Sequence, residues 1–463
     1  MNHDIEVNTR PIAYLFRFPP KNTSHQRGKT MTFSEFYPGD IIPLENGNSA
    51  TILEKLGEGG QGIVYRVQLD NQQYALKWYF PQKISRPAEF YRNLKDNIEK
   101  GSPNDAFLWP KYLTTDSNGN FGYIMDLRPQ NYRDFSDILL NKANFSKLSD
   151  VVQTGLNIVN GFRDLHRKGY SYQDLNDGNF FIDPTSGNVL ICDNDNVAPY
   201  GTNLGIAGKA RYMAPEVVRS KNRPDNITDR FSLAVVLFLL FFRNHPLEGK
   251  RLVQCPCLTE ELELKFYGKE PVFILDPENE TNRPVCNIHN NVIRLWPLFP
   301  KFIRELFEKV FSKECLNRER NRPTDNEWQI ALTNLRSCIA TCANCGEETF
   351  MDESLGKCIN CGCPIPKQRI LECKDGKYKV VLFPGNKIYL CHTEAVSDDY
   401  QEVTGQVIAN PQNPKIWGLR NLSEECWNTE GTESKLIPPG GVLLITRTSR
   451  IHFSASCSAD IIY

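Results

Sequence analysis

The stretch that most limits what this chain can fold into is Tyr172-Gln-Asp174-Leu-Asn-Asp-Gly-Asn179, followed after a short apolar run by Cys192-Asp193-Asn194-Asp195. Upstream, Val151, Val152, Leu156, Val159, Phe162 and Leu165 recur at three and four residues, the spacing of an amphipathic helix. The run from Val189 to Cys192 reads as a strand that delivers Asp193 at its end. Loops held between a helix and short strands therefore carry, among other polar groups, the carboxylates of Asp174 and Asp193 and the amide of Asn179. A carboxylate in such a loop can orient a hydroxyl and accept its proton, while Asn179 and Asp193 offer oxygen ligands to a hard divalent cation.

On the N-terminal side, TILEKLGEGGQGIVYRVQLDNQQYALKWYF places β-branched and aromatic residues around turn signals at Gly59-Gly60 and Asp70-Asn71, predicting three antiparallel strands. Gly57, Gly59, Gly62 and Val64 spell G-x-G-x-x-G-x-V between two of them, where glycine lets backbone amides approach phosphate oxygens. A dinucleotide fingerprint would open a helix; here a strand follows. Ala75-Leu76-Lys77 ends the third strand and brings an ammonium within reach of α and β phosphates. Ala214-Pro215-Glu216, Asp229-Arg-Phe-Ser232 and Arg322 follow in order.

Composition narrows the remaining classes. A chain of 463 residues exceeds one ordinary core and implies two to four domains. With 54 Lys+Arg against 55 Asp+Glu, no basic field draws it to nucleic acid. The first residues have scattered charges and no apolar signal core, so the expected location is the cytoplasm. The most apolar run, Leu233 to Phe242, is about half a membrane span and reads as a buried core helix, so no membrane insertion is expected. Fifteen cysteines, several in Cys-x-x-Cys pairs, favour reduced thiols and metal ligation over disulfides.

From about Asp40 to Ser337 the ordered motifs resemble the eukaryotic-like protein kinase family. The resemblance implies an α+β, two-lobed fold, with a β-rich N-lobe, an α-rich C-lobe, and ATP with Mg²⁺ or Mn²⁺ in the cleft. It implies a catalytic set of Asp174, Lys77, Asn179 and Asp193, with Asn179 and Asp193 on the metal. Nucleotide contacts are implied at Gly57, Gly59, Gly62, Val64, Ala75, Lys77, Met125, Asp126 and Leu127, with Met125 near the gatekeeper position and Asp126-Leu127 starting the hinge. Arg322 is expected to pair with Glu216, and Lys77 with Glu89, or with Glu99 further along the same helix.

The chain departs from that family at several points. Tyr172 and Gln173 replace the His and Arg of H-R-D, which predicts activity independent of loop phosphorylation. Asn176 replaces a catalytic-loop lysine, and Lys209, where a threonine is usual, is a candidate substitute. Asn194 and Asp195 replace the Phe and Gly of D-F-G. These changes keep a second class open: a pseudokinase scaffold that binds nucleotide and docks partners.

Beyond about residue 338 the helical period stops. Cys342-Ala-Asn-Cys345-Gly and Cys358-Ile-Asn-Cys361-Gly are two knuckles that can present four thiolates to a structural Zn²⁺, with Cys363 as a competitor for Cys361. Cys255, Cys257, Cys286 and His289 are read as scattered loop residues. The end alternates like short strands, and Trp417-Gly-Leu-Arg-Asn-Leu resembles a divergent forkhead-associated β-sandwich without its phosphothreonine-binding elements. The expected division is an extension over 1–40, a kinase domain over 41–337, a zinc ribbon over 338–369 and a small β-sandwich-like domain over 370–463. The combination resembles bacterial kinases found with tellurium-resistance-type von Willebrand A proteins and a PP2C-like phosphatase. That implies a partner protein phosphorylated on Ser or Thr in bacterial signalling or stress response.

Overall fold

The computed structural model describes residues 35–463 except 116–119, 203, 205–207, 318 and 433. Most of the extension expected over 1–40 lies outside these residues.

The predicted three-stranded unit is the centre of a six-stranded antiparallel sheet. Its strands are β1 (Ile41–Pro43), β2 (Ser49–Glu58), β3 (Gly62–Leu69), β4 (Gln72–Tyr79), β5 (Tyr112–Leu113) and β6 (Gly122–Asp126), ordered β1-β2-β3-β4-β6-β5. Alternation in β3 buries Ile63, Tyr65, Val67 and Leu69 on one face, where they meet Ile52, Leu76, Trp78 and Ile124. The turn between β3 and β4 sits at Asp70, whose φ of 51° is left-handed, a conformation that Asp tolerates better than bulky residues. Helix α1 (Pro87–Lys100) covers the other face by burying Phe90 and Leu94 against Tyr79 and Phe121.

The following region is mainly helical. After β7 (Arg133–Asp134) and α2 (Phe135–Leu139), the predicted amphipathic helix is α3 (Leu148–Arg167), with Val152, Leu156, Val159, Phe162 and Leu165 buried. Short strands β8 (Tyr170–Tyr172), β9 (Phe180–Ile182), β10 (Val189–Ile191) and β11 (Val197–Pro199) carry the candidate catalytic loops between them. Then come α4 (Pro215–Val218), α5 (Asn226–Phe242), α6 (Lys250–Val253), α7 (Glu260–Glu263), α8 (Asn290–Leu295), α9 (Lys301–Val310), α10 (Lys313–Asn317) and α11 (Asp325–Ser337). The apolar run lies in α5 and is buried throughout from Phe231 to Phe242, with a capping box of Asp225 and Thr228 satisfying its first amides. No described helix is long and apolar enough to cross a membrane.

The cysteine segment forms a hairpin of β12 (Ile339–Thr341) and β13 (Glu348–Phe350). The end of the chain holds β14 (Ile370–Cys373), β15 (Tyr378–Val381), β16 (Lys387–Tyr389), α12 (Leu390–Thr393), β17 (Val403–Ala409) and β18 (Trp417–Asn421). They are followed by β19 (Trp427–Gly431), β20 (Lys435–Ile437), β21 (Val442–Leu444), β22 (Thr448–Ser454) and β23 (Cys457–Ile462). They make one sheet of order β15-β14-β23-β22-β19-β20 and another of order β16-β17-β18-β21. Buried residues of both sheets, including Leu371, Val407, Leu419 and Ile451, continue the apolar core of the helical region. Polar contacts fix that attachment: Asp398 accepts from Arg163 (3.2 Å) and Arg167 (2.5 Å), and the Arg336 guanidinium lies 3.9 Å from the Tyr389 ring centroid.

Candidate active site

The glycine hairpin between β2 and β3 is closed by the Gly59 amide donating to the Gly62 carbonyl at 2.9 Å. A side chain at Gly57, Gly59 or Gly60 would project into open space, so these positions leave the backbone free to approach a ligand. Gly62 is glycine for another reason: a Cβ there would stand 2.1 Å from the Trp78 carbonyl oxygen of the neighbouring strand. Beneath the hairpin, Val64, Ala75, Met125 and Leu127 join one apolar cluster, in which Leu190 and Cys192 form part of the lower surface. Leu190 was not singled out from the sequence, although its place on the strand before Asp193 could have signalled it. Asp126 turns outward and accepts from Lys111 at 2.6 Å.

Lys77 is buried, and its ammonium donates to Asp195 Oδ2 at 2.8 Å and to Asp193 Oδ1 at 3.2 Å. Burial opposes its charge, but the two carboxylates outweigh burial and raise its pKa above the ordinary lysine value. The expected glutamate partner is not there. Glu89 is exposed and pairs with Arg86 at 3.4 Å, and Glu99 is exposed as well. The inward positions of α1 are Phe90, Asn93, Leu94 and Asn97, and both asparagines donate to the Val197 carbonyl, at 2.8 and 2.9 Å. Spacing alone could not tell which face of α1 turns inward, because the apolar period there is carried by few residues.

Asp193 has a left-handed φ of 55°, and the short turn after it is pinned by Asn194. The Asn194 amide, fully buried, donates to Leu108 O (2.8 Å) and Ile191 O (2.9 Å). A polar staple thus stands where an aromatic side chain would pack. Tyr172 donates to the Cys192 carbonyl, and its own amide donates to Asp229 Oδ2 at 2.7 Å. Behind it His166 bridges Asp229 (3.1 Å) and Asp325 (2.8 Å), tying α3, α5 and α11 together. Burial disfavours the imidazolium, yet those two carboxylates raise the His166 pKa to about 9.

On the catalytic loop, Asn176 caps the turn to Asn179: its side chain accepts from Gly178 N, and Asn179 Oδ1 accepts from Asn176 N at 2.7 Å. Asn176 Nδ2 reaches Asp174 Oδ1 at 3.4 Å, and Lys209 Nζ donates to Asn176 Oδ1 at 2.9 Å. Burial raises the Asp174 carboxyl to about 6, against the opposing pull of the Lys209 ammonium. Asn179 lies beside the Asp193 strand because its carbonyl accepts from Cys192 N at 2.8 Å. Gln173 holds the following loop with a neutral amide, donating to Thr202 O and accepting from Leu204 N. Part of that loop lies outside the described residues. Lower in the same lobe, Arg322 grips both oxygens of Glu216 at 2.7 Å, as expected.

Lys77, Asp193, Asp174 and Asn179 are thus gathered at the junction between sheet and helices, with Asp195 as an addition. Away from it, Cys342, Cys345, Cys358 and Cys361 bring their sulfurs within 4.8 Å of one another. Two separations, Cys342–Cys361 and Cys345–Cys358, are 3.8 Å. Four thiolates about 2.3 Å from one tetrahedral ion stand about 3.8 Å apart, so the cluster fits such an ion. Cys363 is outside the set; Cys257 and Cys286 are exposed, and His289 Nδ1 accepts from Val285 N at 2.9 Å.

The sequence pattern of the protein kinase domain matches residues 50–318. The chain is similar to the serine/threonine-protein kinase AtPK2/AtPK19 of Arabidopsis thaliana, 24% identical over 54% of this chain and 54% of that protein. It is similar to the beta-adrenergic receptor kinase 1 of Mesocricetus auratus, 28% identical over 47% of this chain and 33% of that protein. With the ribosomal protein S6 kinase alpha-4 of Homo sapiens it shares 31% identity over 44% of this chain and 28% of that protein. The chain therefore spans about half or less of the length of these relatives. Since the domain match runs through the sheet, the cleft and the helices, over more than half of its length, the chain belongs to the protein kinase family.

Proposed function

We propose that this chain transfers the γ-phosphoryl group of ATP to a Ser or Thr hydroxyl of a partner protein. The observation that carries this reading is the convergence of Lys77, Asp193 and Asp174 on one cleft beneath an open glycine hairpin, where Lys77 bonds Asp193 and the Asp193 charge acts on Asp174. Val64, Ala75, Met125, Leu127 and Leu190 would hold the base, with Asp126 at the hinge, and Gly57, Gly59 and Lys77 the phosphates. Asp193 and Asn179 would hold Mg²⁺ or Mn²⁺, which supplies charge neutralisation to the phosphate oxygens. Asp174 would orient the acceptor hydroxyl and take its proton. Gln173 supports activity independent of loop phosphorylation, because neutral amide contacts already tie the loop down without an arginine for a phosphate to recruit.

The Cys342–Cys345–Cys358–Cys361 cluster is proposed as a structural Zn²⁺ site, closed by four thiolates and without an open position for chemistry. The proposed division is a kinase domain over 41–337, a zinc ribbon over 338–369 and a forkhead-associated-like domain over 370–463 that docks partner proteins. A von Willebrand A-type substrate and an opposing PP2C-like phosphatase in the bacterial cytoplasm complete the proposal. The test is incubation of a cell lysate with radiolabelled ATP and either the wild type or Asp174→Ala, with phosphosites mapped by mass spectrometry. Phosphoserine or phosphothreonine that appears only with the wild type supports transfer. Equal labelling, or none with either protein, refutes it in favour of a nucleotide-binding scaffold.

A further inference from the structure

We propose that Asp195 is the permanent counter-ion of Lys77, a positioning residue that stands in for any carboxylate from helix α1 in assembling the nucleotide site. The proposal rests on the reading of the cleft as an ATP site. An ammonium has three protons to place, and Lys77 directs them at Asp195 (2.8 Å), Asp193 (3.2 Å) and, weakly, Gln61 (3.5 Å). Two of these acceptors can be exchanged for phosphate oxygens. The Asp193 side chain is 44% exposed and faces the cleft, and Gln61 lies in the glycine hairpin at the limit of hydrogen-bond distance. Asp195 cannot be exchanged, because it is 0% exposed and its Oδ2 also accepts from the Tyr79 hydroxyl at 2.6 Å. A ligand that recruits Asp193 to a metal and Lys77 to phosphates therefore leaves the Lys77–Asp195 bond in place.

Helix α1 braces this arrangement through Phe90 against Tyr79 but supplies no charge to it. Its carboxylates Glu89, Asp96 and Glu99 are all exposed, and its buried asparagines are committed to the Val197 carbonyl. Lysine and metal ligand are instead held by residues two apart in one turn, so any movement of that turn shifts both together.

The test measures the affinity of the full chain for a fluorescent ATP analogue with Mg²⁺. Asp195→Asn is expected to weaken binding roughly ten- to a hundredfold, the loss of one hydrogen bond to a charged group. Asp195→Glu should restore most of it. In a Lys77→Met background, Asp195→Asn should cause no further loss, because its effect passes through the ammonium. The exposed Glu89→Gln and Glu99→Gln should bind like the wild type. Unchanged binding by folded Asp195→Asn overturns the proposal, as do losses that multiply in the double variant or a tenfold loss from either glutamate. A wild type that binds no nucleotide removes the ATP reading itself, whereas a wild type that binds and is indifferent to Asp195 removes only this inference.

Discussion

The cleft and the floor beneath it both bury charge, and they do so to opposite ends. On the floor, Arg322 and Glu216 close on each other with two bonds of 2.7 Å, and His166 is saturated by Asp229 and Asp325. In the cleft, Lys77 shares itself between a sealed carboxylate and one that is 44% exposed, and Asp174 is only half-buried, near an exposed Lys209. A charged group paired only with buried partners holds architecture. One that leaves a valence facing the cleft is poised for a ligand.

That contrast can be broken in five ways. Asp174→Asn should lower kcat by roughly 10²–10⁴-fold while leaving the urea unfolding midpoint nearly unchanged, the range for loss of a positioned base. Its wild-type counterpart should lose activity as pH falls through about 6, because the carboxyl must be ionised to accept a proton. Arg322→Ala should do the reverse, costing about 3–5 kcal/mol in urea unfolding by stranding the Glu216 carboxylate. If the two variants gave the same pattern, the distinction between open and closed clusters would be lost.

His166 gives a subtler reading. Its folded pKa, about 9, is raised above the ordinary 6.5, so its stabilising contribution is complete below about pH 6.5 and disappears as pH rises through about 9. The stability difference between wild type and His166→Gln should shrink across that window by up to about 1.4 kcal/mol per pH unit. A difference that stayed constant would show that the imidazole is held neutral. The smallest effect is expected for Lys209→Ala. A roughly ten- to a hundredfold fall in kcat, with little change in nucleotide affinity, fits an ammonium that stabilises charge during transfer. Restoration by adding Asn176→Lys, which puts the ammonium on the other side of the 2.9 Å hydrogen bond, would sharpen the point.

Much of the molecule was legible because its signals are local. The turn at Asp70, the period of α3 and the burial of Leu233 to Phe242 follow from residues near one another in sequence. The two cysteine knuckles were legible for the same reason, since four thiolates within twenty residues can meet with little help from the rest of the fold. The partner of Lys77 was not. Glu89 and Glu99 lie on the helix that follows the lysine strand, yet the apolar residues Phe90 and Leu94 decide which face turns inward, and they turn both glutamates out. In sequence Asp195 is only a departure from a glycine; the turn after Asp193 buries it beneath the lysine.

The sequence by itself determined the ordered set Lys77, Asp174, Asn179 and Asp193, because each sits at the end of a strand or in a loop whose form is dictated locally. Tertiary structure alone decided how that set is charged and held. It brought Asp195 to Lys77, Lys209 to Asn176 and His166 between Asp229 and Asp325, across separations of 118, 33, 63 and 159 residues. Those pairings depend on how helices and sheet pack, and packing is a property of the whole core rather than of any stretch of chain.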